Sequence, residues 1–368
     1  MLLASFGQIM GYVGYVLIAI LILLLMITVH EAGHYLVGKI FKFGIEEFAI
    51  GFGPAIFKKR LKSGELFSLR VFPLGGFCSF KGEDGVSDDP SAFNNKKPWQ
   101  RILVLISGAL MNFLLAILIV FGMFSFYGQT AFKVNKVYYD TEYTAENSLN
   151  SGDVILKISN KNVYLITDVM DALDGKKQGD TVEITVERAG AWVTVPVKVR
   201  QDVSFHNVED IAPVYDALGF YSLNADNQKE YSLSSVDLKV NFFERIGRSF
   251  EYSFKLAGTV LSVLGQLLTG RLPLSAMGGT VTTIIVTADA IRTGGFWYLL
   301  YISSFIGCNL AVFNLLPFPA LDGSRVVFCL IEWIFKKPVN RKVEAVIHGV
   351  GLVVILLFAI FIDLQRCF

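Results

Sequence analysis

The residues with the chemistry to build a reaction centre fall in two short runs. The first reads His30-Glu31-Ala32-Gly33-His34. On an α-helix positions i and i+4 share a face one turn apart, so both imidazoles can bind one Zn2+. Glu31 stands about 100° round that helix from His30, within reach of a water at the metal as its general base. The bland alternative is a chance HExxH in an ordinary helix. Against it, the run closes residues 1–29, which carry no charge, and a Glu with two His there is expensive unless it has a use. The second run is Asn314-Leu315-Leu316-Pro317-Phe318-Pro319-Ala320-Leu321-Asp322-Gly323. A catalytic zinc site takes three protein ligands and leaves a fourth position open, and Asp322 is the candidate for the third. On its own Asp322 would read as an ordinary interfacial aspartate. Pro317 and Pro319 break a helix just before it, freeing backbone groups that must then line protein or water. Asn314, about a turn before that break, can donate to the oxyanion that forms on attack.

The elements that position these residues must lie in a membrane. Of 368 residues 53% are hydrophobic and 18% charged, with a mean hydropathy of +0.52. That excludes an ordinary soluble enzyme and intrinsic disorder, and leaves several spans with one modest polar domain. A net charge of +1 gives no reason to expect nucleic acid as a partner. Cys78, Cys308, Cys329 and Cys367 form no CxxC pair, which argues against a disulfide framework; Cys308 and Cys329 read as small buried residues.

Four stretches are free of Asp, Glu, Lys and Arg: 1–29, 102–132, 293–321 and 345–362. Each is long enough for about 30 Å of hydrocarbon, the last only just. The first has no basic residue ahead of its apolar run and reads as a retained span instead of a signal peptide. Eleven Lys and Arg, from Lys39 to Arg101, separate the first two stretches, and Arg325, Lys336, Lys337, Arg341 and Lys342 separate the last two. Both loops are therefore expected on the cytoplasmic side and both termini outside, with Trp297, Tyr298 and Tyr301 in the outer interface. Four spans put Asp322 on the same side as His30 and His34. The apolar runs 256–270 and 272–288, broken by Arg271 and Pro273, read as interfacial or re-entrant helices, since a fifth span would carry Asp322 to the other face.

Residues 130–250 are polar. Strand-like runs at 154–158, 182–186 and 193–199 alternate with turn signals at Ser151-Gly152-Asp153, Gly179-Asp180 and Ala189-Gly190, and 167–173 has a helical pattern. This predicts a small α+β module outside the membrane, followed by a less regular connector. Residues 65–81 alternate as two short strands about a Pro-Leu-Gly-Gly turn. They form either a plain cytoplasmic hairpin or an open edge that adds an unwound substrate as a further strand, with Leu69, Arg70, Val71, Phe72, Gly75, Gly76 and Phe77 as its contacts.

With these motifs in place, the chain resembles the bacterial site-2 protease family of intramembrane zinc metalloproteases. The resemblance rests on the HEAGH run, the NLLPFPALDG run and the polar module between them. Phe72-Pro73-Leu74-Gly75-Gly76-Phe77 is similar to the family's membrane-re-entrant β-hairpin, and Ser107-Gly108-Ala109-Leu110-Met111-Asn112 to its second-span motif, with Gly-Ala where the family usually has Gly-Pro. The stretch from Tyr143 to Asp153 resembles the start of a PDZ domain. The implied activity is second cleavage of single-span membrane proteins such as anti-sigma factors, or clearance of remnant signal peptides, in the bacterial cytoplasmic membrane. The resemblance implies that Asn112 helps hold the substrate backbone near the zinc; its bland alternative is interhelical hydrogen bonding. It also favours the oxyanion role for Asn314.

The fold expected is a multi-span α-helical membrane protein, four transmembrane helices with a re-entrant β-hairpin, plus one α+β PDZ-like extracytoplasmic domain. The divisions are 1–129 (membrane part with HExxH and hairpin), 130–203 (PDZ-like), 204–292 (connector) and 293–368 (second membrane part). Zn2+ is the expected cofactor, held by His30, His34 and Asp322, with Glu31 as base. His348, inside the fourth stretch, is read as a packing or polar contact, and His206 as inert. The rival reading is a non-catalytic PDZ-bearing scaffold with a structural metal, which would need a fourth protein ligand.

Overall fold

A computed structural model describes residues 6–83, 85, 87–205, 211–273 and 277–365; His206 and Cys367 lie outside the described residues. In chain order the elements run α1 (Phe6–Ile40), β1 (Ile45–Arg60), β2 (Leu66–Phe80), α2 (Pro98–Phe126), β3 (Gln129–Val134), β4 (Val154–Ile158), β5 (Lys161–Asn162), α3 (Ile166–Leu173), β6 (Thr181–Arg188) and β7 (Ala191–Lys198). There follow α4 (Ala212–Leu218), β8 (Tyr221–Leu223), β9 (Lys229–Tyr231), β10 (Leu233–Leu238), α5 (Phe242–Leu268), α6 (Thr280–Leu315), α7 (Asp322–Phe335) and α8 (Arg341–Gln365). The chain divides into two compact units, one of residues 1–123 and 246–368, the other of residues 124–245.

In the first unit four helices are long and apolar enough to cross a membrane: Met10–Ile40, Pro98–Phe126, Thr280–Leu315 and Lys342–Gln365. They correspond to the four uncharged stretches, with two differences in outline. α6 begins well before residue 293 and is broken at Gly295, whose φ of 63° and ψ of −146° only glycine adopts readily. It ends at Leu315, ahead of the two prolines, and Asp322 opens a separate helix, α7. α5 covers the run 256–268 but starts at Phe242, inside the stretch read as polar; it buries Arg248, Ser249 and Ser253 and exposes Phe243, Phe250 and Phe254.

The hairpin differs from the one the sequence suggests. β2 is one continuous strand from Leu66 to Phe80, and its partner is β1, with the turn at residues 61–65. Gly64, at φ +102°, supplies the left-handed residue that turn needs. Both strands are bent, so Glu47, Phe48, Ala49 and Ile50 pair with Ser79, Cys78, Phe77 and Gly76 on one flank and with Leu66, Phe67, Ser68 and Leu69 on the other. Leu66 to Leu69 are paired again, on their second flank, with Arg60, Lys59, Lys58 and Phe57. The Pro-Leu-Gly-Gly stretch is thus the bend at which β2 crosses from one flank of β1 to the other. Arg70 clamps the crossing: it donates to Glu47 Oε1 at 2.7 Å and to the Gly53 carbonyl at 2.9 Å, and lies over the Phe77 ring.

The second unit holds an antiparallel sheet of order β10-β3-β4-β6-β7, with β5 beside β4. Its core is apolar and aliphatic, from Ile155, Ile158, Val182, Ile184 and Val186 on the strands to Val169 and Leu173 on α3. The sheet does not stop at residue 203: β10 pairs along the whole of β3, and Val214, Ala217 and Leu218 of α4, with Phe220, join the same core.

Candidate metal centre

α1 and α2 cross at a point set by two glycines. A Cβ on Gly33 would stand 2.4 Å from the Ser107 carbonyl oxygen, and one on Gly108 would stand 2.5 Å from His34 Nε2 and 2.7 Å from His30 Nε2. The two backbones therefore approach closely enough for α2 to act on the α1 histidines. His34 Nδ1 lies 2.8 Å from the Val104 carbonyl, an acceptor only, so Nδ1 carries the proton and Nε2 presents a lone pair. That is the arrangement by which a ligand imidazole is oriented from behind.

Asp322 reaches the same point from α7. Its Oδ2 lies 3.0 Å from His30 Nε2 and 3.3 Å from His34 Nε2, and those two nitrogens are 3.1 Å apart. Burial alone would raise the Asp322 carboxyl, but the adjoining imidazoles hold it well below the usual carboxylate range. Its place as the first residue of α7, at the positive end of the helix dipole, favours the anion further. The segment before it is tightly wound. Ala320 has φ +77°, a left-handed conformation that costs about 1–2 kcal/mol for a residue with a Cβ. A Cβ on Gly323 would meet the Leu315 and Leu316 carbonyls at 2.4 and 2.3 Å.

His30, His34 and Asp322 form a group that can hold one metal ion. Three electron-pair donors converging to 3.0–3.3 Å, beside a glycine that leaves the space clear, fit a small divalent cation with nitrogen and oxygen preference. Glu31 lies in the same cavity of about 490 Å³, which Phe77, Cys78 and Ser79 of β2 also line.

The other residues singled out in the sequence fall into three places. Asn314 Nδ2 is 3.4 Å from His30 Nδ1, so this carboxamide meets the outer nitrogen of a histidine in the group. Asn112 is fully buried in α2, with neither carboxamide atom hydrogen-bonded, and does not line the cavity. Of the hairpin residues Phe77 lines the cavity and Gly76 packs on Glu31, where a Cβ would stand 3.5 Å from Glu31 Cγ. Leu69, Arg70, Val71, Phe72 and Gly75 do not line it. Gly33, Gly108 and the Val104 carbonyl escape sequence reasoning because they act through a helix crossing. Two glycines at HEAGH and SGALMN were the available signal. His348 makes the polar contact expected of it, accepting from the Ala320 N–H at 3.1 Å.

The chain matches peptidase family M50 over residues 18–358. It is 32% identical over 352 residues to a candidate zinc metalloprotease of Clostridium perfringens, covering 95% of this chain and 98% of that one. A relative of the same description from Fusobacterium nucleatum is 29% identical over 353 residues (95% and 97%), and one from Agrobacterium fabrum 28% over 366 residues (95% and 94%). With an HExxH helix and a distant aspartate gathered at one point, and with this match along nearly its whole length, the chain belongs to peptidase family M50, the site-2 protease family, and is a zinc metalloprotease.

Proposed function

We propose that this zinc metalloprotease cleaves transmembrane segments of single-span membrane proteins, with His30, His34 and Asp322 as the zinc ligands and Glu31 as general base. The observation that carries the reading is the convergence of those three donors within 3.0–3.3 Å, two of them inside a long apolar helix, with Glu31 in the same cavity. Bound zinc supplies a Lewis acid for the scissile carbonyl and an acidified water. Glu31 takes the proton of the attacking water and returns it to the leaving amine. Asn314 either donates to the oxyanion or steadies His30 from its Nδ1 side. The experiment is cleavage of a single-span substrate by the purified protein, with and without a zinc chelator. Glu31→Gln keeps zinc and loses activity by about 10²-fold or more. His34→Ala and Asp322→Ala lose zinc as well. A Glu31→Gln protein that still cleaves ends this reading.

The hairpin serves substrate handling. A helical substrate shields its carbonyls and must be extended before attack. Among the described residues the Gly76–Ser79 part of β2 has a ladder partner on one flank only, and Phe77, Cys78 and Ser79 of it line the cavity, so it is the edge to which an extended substrate adds as a strand. Phe52, Ile56, Phe57, Leu69, Val71, Phe72 and Leu74 are exposed around the bends, an apolar end suited to the bilayer, whereas Lys58, Lys59, Arg60 and Lys62 cluster toward the turn. That asymmetry supports the reading of a re-entrant hairpin.

By the positive-inside rule the basic loops face the cytoplasm, and both termini and the sheet module lie outside the bacterial cytoplasmic membrane. The sheet module is a single PDZ-like domain. Regulated proteolysis of anchored regulators such as anti-sigma factors, or removal of remnant signal peptides, is the role that family membership favours. A structural metal would be closed by a fourth protein ligand, and among the described residues three come together.

A further inference from the structure

Residues 316–321, which deliver Asp322, make few hydrogen bonds of their own. Pro317 and Pro319 have no N–H to give. The Leu316 N–H goes to Phe313, the Phe318 N–H to Leu316 and the Leu321 N–H to Phe318, all local. The Ala320 N–H alone among them is taken up by a side chain of a distant element, His348 of α8, whose Nδ1 accepts it at 3.1 Å. Ala320 is also the residue in the left-handed conformation, at φ +77°, two positions before the carboxylate. Rotation of the peptide there changes the direction in which Asp322 leaves the backbone.

α8 is built to make this contact. Gly351 lies three residues beyond His348, hence on the same helix face. A Cβ at Gly351 would stand 2.3 Å from Pro319 Cβ and 2.8 Å from its carbonyl carbon and oxygen, so the bare backbone of α8 lies against the segment. The Phe328 ring of α7 meets the His348 ring edge-on, with centroids 5.7 Å apart, which sets the ring from the other side. Ala320, Asp322 and His348 line one cavity.

We propose that His348 is a positioning residue for Asp322: its Nδ1 holds the Ala320 peptide in the one orientation that aims the carboxylate at His30 and His34. The inference rests on the reading of Asp322 as a zinc ligand and adds to it the part of the fold that holds that ligand in place. It needs a ring nitrogen with a lone pair at the Nδ1 position and no charge on the ring.

The test is the rate of zinc release from the full-length, detergent-purified protein to a colorimetric chelator, with the thermal midpoint measured alongside. His348→Ala releases zinc about ten- to a hundredfold faster, the loss typical of removing a group that orients a ligand. His348→Asn keeps an acceptor oxygen where Nδ1 was and releases zinc close to the unmodified rate. His348→Gln carries its oxygen one bond further out and releases as fast as His348→Ala. The Asn–Gln comparison decides even where His348→Ala fails to fold, since general loosening of α8 speeds both alike. Equal rates for His348→Asn and His348→Gln, or an unchanged rate for His348→Ala, overturn the proposal. Asp322→Ala is run beside them. Zinc kept in that variant overturns the ligand assignment itself, whereas zinc lost there with His348→Ala unchanged overturns the positioning role alone.

Discussion

A methyl group on Gly108 would stand 2.5 Å from Nε2 of His34 and 2.7 Å from both Nε2 and Cε1 of His30. Two effects of opposite sign therefore act on Gly108→Ala. Alanine stabilises a helix interior by about 1 kcal/mol relative to glycine, while overpacking of this kind costs about 1–3 kcal/mol, and the cost falls on the imidazoles. The expected outcome is a protein that folds and inserts normally but binds zinc roughly tenfold or more weakly, read by competition with a chelator of known affinity. Zinc affinity unchanged in Gly108→Ala would mean that the rings have room to move. At this scale the sequence is legible where spacing alone sets the geometry. His30 and His34 share a helix face whatever surrounds them. Asp322 was picked out by the proline-broken run before it and checked by the span count, and Gly108, the Val104 carbonyl and the Ala320–His348 contact were not legible, because each exists only once two helices have met.

Among the elements, β1 and β2 show best why pattern reading stops short. The alternation in 65–81 identified strand, but β1 carries Gly51, Gly53 and Pro54 at its bend and Lys58, Lys59 and Arg60 after it, which hide the period of two. Without β1 the two halves of β2 look equivalent. With it, Leu66 to Leu69 have partners on both flanks, and Gly76 to Ser79 on one. Among the described residues the proposed strand addition is therefore open to the second half of β2. In a background without other cysteines and with Glu31→Gln to trap substrate, Ser79→Cys should form a disulfide with a cysteine placed in the substrate segment, and Leu69→Cys should not. Equal crosslinking at both positions would remove the strand-addition idea. α7 was not anticipated, although the aspartate and serine of Asp322-Gly323-Ser324 suit the first turn of a helix.

At the scale of the molecule, the uncharged stretches made four helices long and apolar enough to cross a membrane legible, since length and composition are written in the sequence. Orientation is checked with single cysteines read by an impermeant thiol reagent. Positions 59 and 336 should react from the cytoplasmic side only and position 177 from outside only; opposite labelling of 59 and 336 would require an odd number of spans between them.

The extent of the sheet module was less legible, because its last strand returns to pair with its first. Gln129 pairs with Leu238, and a Cβ on Gly128 would stand 2.9 Å from the Leu238 carbonyl oxygen, so the chain enters and leaves the module side by side. Removing residues 130–203 would strip β4, β6, β7 and α3 from Val214, Ala217, Leu218 and Phe220, all of which are fully buried. Exposing side chains of the Val, Leu and Phe kind costs about 1.5–3 kcal/mol each, and that deletion should aggregate or be degraded. Removing residues 129–238 and joining the ends with a short Gly/Ser linker takes out the module's core as one piece. The proposed role of the module is to exclude substrates that still carry a bulky outer domain. A folded obstacle discriminates by size, whereas a peptide groove adds only modest affinity to a substrate already concentrated in the bilayer. The 129–238 deletion should keep its zinc, cleave a short-tailed substrate as well as the full protein does, and cleave a substrate with a large outer domain that the full protein refuses. A deletion protein that is folded and zinc-loaded yet fails on the short-tailed substrate would show instead that the module binds substrate, and its groove would then be the place to look for a peptide.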